Sequence, residues 1–152
     1  MVSSTITDGP EPSRGVAHAY VREEGQWNEY DYGEYPTFAA SGNGGVWSSV
    51  EDLLRYERAL GAGTFLPTAV VTDSRTVKTF DGWTGKAPPK IGWSWFIADV
   101  DGHREVGHTG GQGGFLTNYF VVPEQEVQVV YLMNNGDDDA WTAVNAELHR
   151  WL

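Results

Sequence analysis

The fold of this chain is decided by its C-terminal part. Residues 91–134 read IGWSWFIADV DGHREVGHTG GQGGFLTNYF VVPEQEVQVV YLMN. From Ile91 onward, Trp93, Trp95 and Ile97 alternate with Ser94, Phe96 and Ala98, and the runs 115–122 and 127–134 are rich in β-branched and aromatic residues. Such runs predict β-strands. A further strand is predicted at 104–108. Because short connections join these four strands in sequence, we expect them to form an antiparallel meander.

Two segments outside the meander have the signals of helices. Residues 49–60 follow Ser48, which forms a capping-box pattern with Glu51, and Gly61 supplies a stop. A second helix is predicted at 138–152, because one of its faces is apolar, formed by Trp141, Val144, Leu148 and Trp151. The sequence therefore predicts an α+β fold, in which a sheet of three or four strands is covered on one side by the C-terminal helix.

The N-terminal part and the middle of the chain are less regular. Residues 1–15 are polar and contain two prolines, which predicts an irregular lead-in, and 16–152 are predicted to be a single domain. Residues 16–21 and 26–30 flank Glu24-Gly25 and predict a hairpin. Residues 61–90 are rich in Gly, Pro and Thr, so we expect a connection with short helical turns at most.

Composition excludes several classes of function. The net charge of -11 repels phosphate backbones and anionic lipid heads, so neither nucleic acid nor a membrane surface is an expected partner. The chain has no cysteine, which excludes disulfides and thiolate metal sites. Its N-terminus shows no signal peptide, and no apolar run is long enough to span a membrane.

The densest chemical signal is the stretch GHTGGQGGF at residues 107–115. Glycines after a polar triplet let a ligand approach the backbone of a strand closely. The same stretch is also compatible with a flexible hairpin loop that carries an incidental histidine. Spacing alone leaves both interpretations open.

Four blocks together carry a resemblance to a known family. In order, they are SGNGGVWSSVEDL, IGWSWF, GHTGGQGGF and VVPEQEVQVVYLMNN. This order resembles the C-terminal part of the serine β-lactamase-like family, which includes class C β-lactamases, penicillin-binding proteins, DD-peptidases and esterases. The resemblance implies a partial β-lactamase/transpeptidase-like fold. In that fold, residues 49–60 would be a helix of the helical region, and residues 91–152 would form the sheet and the terminal helix. The resemblance implies no cofactor. Family members are often exported.

The resemblance implies roles for four residues. Such enzymes acylate a serine in Ser-x-x-Lys, use a Tyr-x-Asn loop, and line the cleft with a Lys-Thr-Gly strand. His108-Thr109-Gly110 matches that third motif, Thr109 would hydrogen-bond the substrate, and the N–H of Gly111 would contribute to the oxyanion hole. A histidine replaces the lysine, which the resemblance associates with esterase-like or peptidase-like members.

The first two motifs of the family are absent from this sequence. Three residues before Lys78, Lys86 and Lys90 stand Arg, Trp and Ala, so there is no Ser-x-x-Lys, and no tyrosine begins Tyr-x-Asn. We therefore expect a C-terminal fragment of a serine hydrolase that is inactive alone. Its full-length parent would act on β-lactams, esters or D-amino-acid peptides, which are small-molecule or peptidoglycan-like substrates.

Other interpretations were weighed against this one. His103 and His108 lack a third ligand at metal-binding spacing, so no metal site is expected. Trp93 and Trp95 could stack sugars, although tryptophans in an apolar strand are usually core. A non-catalytic binding module and a β-rich carbohydrate-binding domain therefore remain as alternatives. An unpaired edge at 127–134 predicts a homo-oligomer.

Overall fold

The computed structural model describes residues 1–6, 15–30, 45–84 and 90–152. The strands of these ranges are β1 (Thr5–Ile6), β2 (Ala19–Glu23), β3 (Gln26–Tyr30), β4 (Val46–Trp47), β5 (Phe96–Val100), β6 (His103–Gln112), β7 (Phe115–Val122) and β8 (Val127–Met133). The α-helices are α1 (Val50–Gly61), α2 (Thr68–Ser74) and α3 (Asp138–His149), and a short 3-10 helix covers Pro123–Gln125.

The predicted α+β fold with an antiparallel meander is confirmed. Four strands form one sheet in the order β5-β6-β7-β8. Strands β5 and β6 pair in antiparallel register from Phe96–Gly107 to Val100–His103. Asp101 and Gly102 between them have φ values of 50° and 88°, the left-handed backbone of a tight turn whose twist matches the flanking strands.

The first strand of the meander begins later than the sequence predicted. Strand β5 starts at Phe96 instead of residue 91. Ser94 adopts a positive φ of 64°, and the N–H of Gly92 donates to the carbonyl of Trp95 at 2.8 Å. Because the chain reverses within these residues, the alternating pattern there belongs to a tight turn that precedes the strand.

The N-terminal hairpin predicted around Glu24-Gly25 is confirmed. Strands β2 and β3 pair in antiparallel register from Ala19–Tyr30 to Glu23–Gln26. Ahead of it, within the predicted irregular lead-in, the β-branched pair of strand β1 lies antiparallel to β4. Residues 7–14 of that lead-in lie outside the described residues.

The helices lie close to their predicted positions. Helix α1 buries Leu60, and it also fully buries the carboxyl group of Asp52, which accepts a hydrogen bond from Arg55 at 2.7 Å. Helix α2 is a two-turn segment inside the predicted connection 61–90. Helix α3 begins after Asp137, whose carboxylate accepts a hydrogen bond from the N–H of Ala140 at 2.9 Å and thereby satisfies a free helix donor.

The chain divides into two compact units, the first formed by residues 1, 51–108 and 118–130, and the second by 2–50, 109–117 and 131–152. The core of the first unit consists of Ile97, Val106 and Val121, with Trp95 packed against it. The predicted boundary at residue 16 stays a prediction.

In the second unit, hairpin β2–β3 and helix α3 both contact the segment at the end of β8. The N–H of Tyr20 donates to the carbonyl of Asn134 at 2.8 Å, and the N–H of Gly136 donates to the carbonyl of Tyr20 at 2.9 Å. The rings of Tyr131 and Trp141 lie 6.5 Å apart. Helix α3 nevertheless has no buried residue, so its apolar face is only partly covered.

Candidate active-site strand

The predicted third-motif residues occupy consecutive positions on strand β6. His108, Thr109, Gly110 and Gly111 are all exposed, whereas the preceding residues 105–107 are buried. The boundary between the two compact units falls between His108 and Thr109. All four residues are therefore within reach of a ligand from solvent.

Strand β6 is longer than the predicted segment 104–108, which ended at His108. It continues through Gln112, and Gly113 and Gly114 form the turn with φ values of 55° and 78°. Only glycine adopts this backbone at both turn positions without strain. The glycine-rich stretch therefore does two things: its first half extends the strand, and its second half closes the hairpin to β7.

In the second unit, the glycines of β6 leave the strand without side chains. A Cβ added to Gly110 would stand 2.5 Å from Oγ1 of Thr117, and one added to Gly111 would stand 3.4 Å from a methyl group of Leu116. A side chain at Gly110 would therefore require the Thr117 hydroxyl to move, whereas Gly111 has room for a small side chain. At Gly110 and Gly111, the backbone of β6 therefore has no side chain of its own to cover it.

In the first unit, His108 packs against an aromatic ring on the neighbouring strand. The imidazole of His108 and the phenyl ring of Phe96 have centroids 4.8 Å apart and planes tilted by 31°. Phe96 is 50% exposed. Phe96 pairs with Gly107, the residue before His108, at the start of the β5–β6 ladder.

The turn that leads into Phe96 is anchored on the end of helix α2. The N–H of Trp93 donates to the carbonyl of Ser74 at 2.8 Å, and the indole N–H of Trp95 donates to Oγ of Ser74 at 3.2 Å. A Cβ added to Gly92 would stand 2.1 Å from the carbonyl oxygen of Ser74, so only glycine allows the backbone at residue 92 to approach Ser74 this closely. These bonds fix where β5 starts.

A network of polar side chains supports the same anchor. Arg75, directly after α2, donates two hydrogen bonds to the carboxylate of Glu57 on α1, at 2.7 Å and 2.6 Å. The hydroxyl of Tyr119 on β7 donates to the same carboxylate. The guanidinium of Arg75 also lies over the ring of Trp95, 4.7 Å from its centroid. Two helices, the turn and the sheet are joined at one point.

The hydrogen bonds of this network shift the pKa values of Glu57 and Tyr119. Burial alone would raise the pKa of Glu57, but the hydrogen bonds from Arg75 and Tyr119 outweigh it and hold the pKa below its ordinary value. Burial and the neighbouring Glu57 carboxylate raise the pKa of Tyr119 well above its ordinary value. These shifts favour a charged Glu57 and a protonated Tyr119 near neutral pH, the forms that their hydrogen bond requires.

Two alternative kinds of site were tested against the structure. Trp93 is 58% exposed, whereas Trp95 packs against the core, so the two tryptophans do not form a shared exposed platform. No group of three or more histidine and acidic residues in the described ranges could hold a metal ion. In the same ranges, no helix is both long and apolar enough to cross a membrane.

Sequence reasoning missed Phe96 and the Glu57 network. One signal for the network was available: Glu57 lies four residues after Leu53 and three before Leu60, on the apolar face of α1. A carboxylate in that position predicts a buried partner. The partners Arg75 and Tyr119 lie 18 and 62 residues away in the chain, so sequence periodicity could not identify them.

Comparison with known proteins places this fold in a family. The sequence profile described as Beta-lactamase matches residues 1–149. The chain belongs to the Beta-lactamase family, a serine-hydrolase-like family. No curated protein sequence matches the chain significantly.

A solved structure supports the same fold. The octameric penicillin-binding protein homologue from Pyrococcus abyssi is similar to this chain with a TM-score of 0.71 at 22% sequence identity. The similarity covers 90% of this chain and 31% of the homologue, so the chain spans about a third of the length of that protein.

Proposed function

We propose that this chain supplies the third-motif strand of a serine hydrolase active site and is inactive without a nucleophile from outside this sequence. The exposure of His108, Thr109, Gly110 and Gly111 on one strand of a Beta-lactamase-family fold carries this proposal. The N–H of Gly111 serves as an oxyanion donor, and Thr109 hydrogen-bonds the substrate. His108 takes the position of the family's lysine, and esters or peptides are the expected substrates.

The absence of Ser-x-x-Lys and Tyr-x-Asn from the sequence supports the second half of the proposal. An oxyanion donor lowers a barrier only when a nucleophile attacks, and serine attacks only when a neighbouring base activates it. The network residues do not replace that base, because the carboxylate of Glu57 is already bound by Arg75 and Tyr119.

The test is hydrolysis by the purified chain of nitrocefin and of 4-nitrophenyl esters. We expect no turnover above buffer. Turnover that survives purification and is lost in His108→Ala would contradict the proposal. In a longer reading frame that contains Ser-x-x-Lys, the same substitution should lower kcat/KM for its substrate.

We also propose that the chain self-associates through strand β8. This strand stands at one end of the sheet order, and its sequence VQVVYLM contains neither a charge nor a proline. Such edges pair readily with another chain. The octameric state described for the Pyrococcus abyssi homologue is compatible with association.

A further inference from the structure

The stacked pair Phe96 and His108 is an exposed aromatic surface at the first position of the third motif. The centroids of the two rings lie 4.8 Å apart with a tilt of 31°, and both residues are solvent-accessible. Because the two rings lie side by side in this tilted contact, the surface they leave to solvent is a composite of phenyl and imidazole. Aromatic surfaces of this kind favour flat apolar partners in offset or edge-on contact.

The pair is held in place before any ligand arrives. Phe96 opens strand β5 directly after the turn that is anchored on Ser74, and the next residue, Ile97, is buried in the core. Gly107, the register partner of Phe96, is itself buried against Tyr119 and Phe120. A rigid ring loses little conformational entropy on binding, which favours recognition by this surface.

The charges of the chain disfavour an anionic ligand here. Lys78 and Lys90, which flank the turn before Phe96, are engaged with Asp73 at 2.7 Å and Asp99 at 2.8 Å. These ion pairs leave their charge largely compensated, and the whole chain carries a net charge of -11. A carboxylate approaching Phe96 would therefore gain little from these paired lysines, and the net charge of the chain disfavours anions in general.

We propose that Phe96, together with His108, determines substrate specificity by binding an uncharged aromatic or apolar group of the substrate. The inference rests on the proposed function, because only a substrate bound at the third-motif strand would bring its aromatic or apolar group to Phe96 and His108. It narrows the substrate class to neutral aryl or acyl esters and amides, and it makes Phe96 a specificity residue.

Binding of three isosteric probes to the whole chain, followed by 1H–15N NMR, tests this proposal. Phenylacetamide, phenylacetate and phenethylammonium differ in charge but share the phenyl ring. We expect phenylacetamide to shift the amide signals of Phe96 and His108 and to bind about threefold or more tighter than phenylacetate. Equal or tighter binding of phenylacetate, or tightest binding of phenethylammonium, would overturn the proposal.

A matched variant separates this surface from exposed aromatic residues in general. Phe65 has nearly the same exposure as Phe96, 52%, and also stacks on an aromatic ring, that of Tyr56 at 5.7 Å. Phe96→Ala should weaken phenylacetamide binding about fivefold or more, Phe96→Leu less, and Phe65→Ala not at all. If Phe65→Ala weakened binding as much, the binding would be nonspecific and the proposal wrong.

The outcomes for the two proposals are distinguishable. Binding of phenylacetamide does not require a nucleophile, so its failure leaves the third-motif role intact. Conversely, hydrolysis by the chain alone would contradict the proposed function whatever the NMR titration shows.

Discussion

Arg75 binds Glu57 through two nearly parallel hydrogen bonds, from Nη1 to Oε1 at 2.7 Å and from Nη2 to Oε2 at 2.6 Å. The side chains are only 13% and 17% exposed, so water screens this pair little. Planar guanidinium and carboxylate groups fit each other in this bidentate geometry. The pair therefore connects α1, through Glu57, to the end of α2, through Arg75, within the first compact unit.

Removing the guanidinium should destabilise the chain strongly. Arg75→Met leaves the largely buried carboxylate of Glu57 without its cation, which should cost about 2–4 kcal/mol in the free energy of unfolding, measured by urea denaturation. Arg58→Met, at an exposed position of α1, is the control and should change it by about 0.5 kcal/mol at most. Equal effects of the two substitutions would show that the pair contributes nothing specific.

The lowered pKa of Glu57 predicts a dependence of stability on acid pH. Between the folded pKa and the ordinary value of 4.5, the unfolded state binds a proton that the folded state does not. The contribution of Glu57 is therefore fully present above about pH 5 and is lost as the pH falls through the folded pKa. Thermal unfolding between pH 3 and pH 7 should show a shallower acid decline in Glu57→Gln than in the wild type. An unchanged decline would contradict the assignment.

Gly92 should not tolerate a side chain. Its added Cβ would stand 2.1 Å from the carbonyl oxygen of Ser74, which is backbone and cannot rotate away. Gly92→Ala should lower the free energy of unfolding by about 1–3 kcal/mol. Gly61→Ala is the matched control, because an added Cβ there meets nothing within 4 Å. If Gly92→Ala left the free energy of unfolding unchanged, the turn would not be anchored on Ser74.

Association through strand β8 predicts a mass larger than that of a monomer. Light scattering at several concentrations should give a dimer or larger assembly, which Val129→Lys should dissociate, because a charge on an edge strand opposes pairing. Val144→Lys, on the exposed part of α3, should leave the assembly intact. A monomer mass at every concentration would refute the proposal, and dissociation by Val144→Lys alone would indicate exchange of the terminal helix instead.

The sequence predicted the elements that depend on local signals. Asp101-Gly102 and Glu24-Gly25 identified two hairpins correctly, because left-handed backbone at consecutive turn residues has a strong residue preference. The order of motifs also led to the family, which the profile match over residues 1–149 confirms.

The sequence failed where long-range contacts decide the structure. The alternation at 91–95 was interpreted as a strand, but bonds to Ser74, some twenty residues earlier, hold these residues in a turn. The predicted strand ended at His108, before the glycines, yet pairing with β7 carries β6 on to Gln112. The stacking of Phe96 on His108 joins residues of two different strands, and the alternation within one strand does not define such a contact.

The central claim is that this chain holds a third-motif strand without an activated serine. Intact-mass spectrometry after incubation with a serine-directed fluorophosphonate measures this, because serine Oγ displaces fluoride and becomes phosphonylated only where a neighbouring base activates that serine. We expect an unmodified mass for the folded chain, with or without His108→Ala. A single stoichiometric adduct that maps to one serine and disappears in His108→Ala would contradict it.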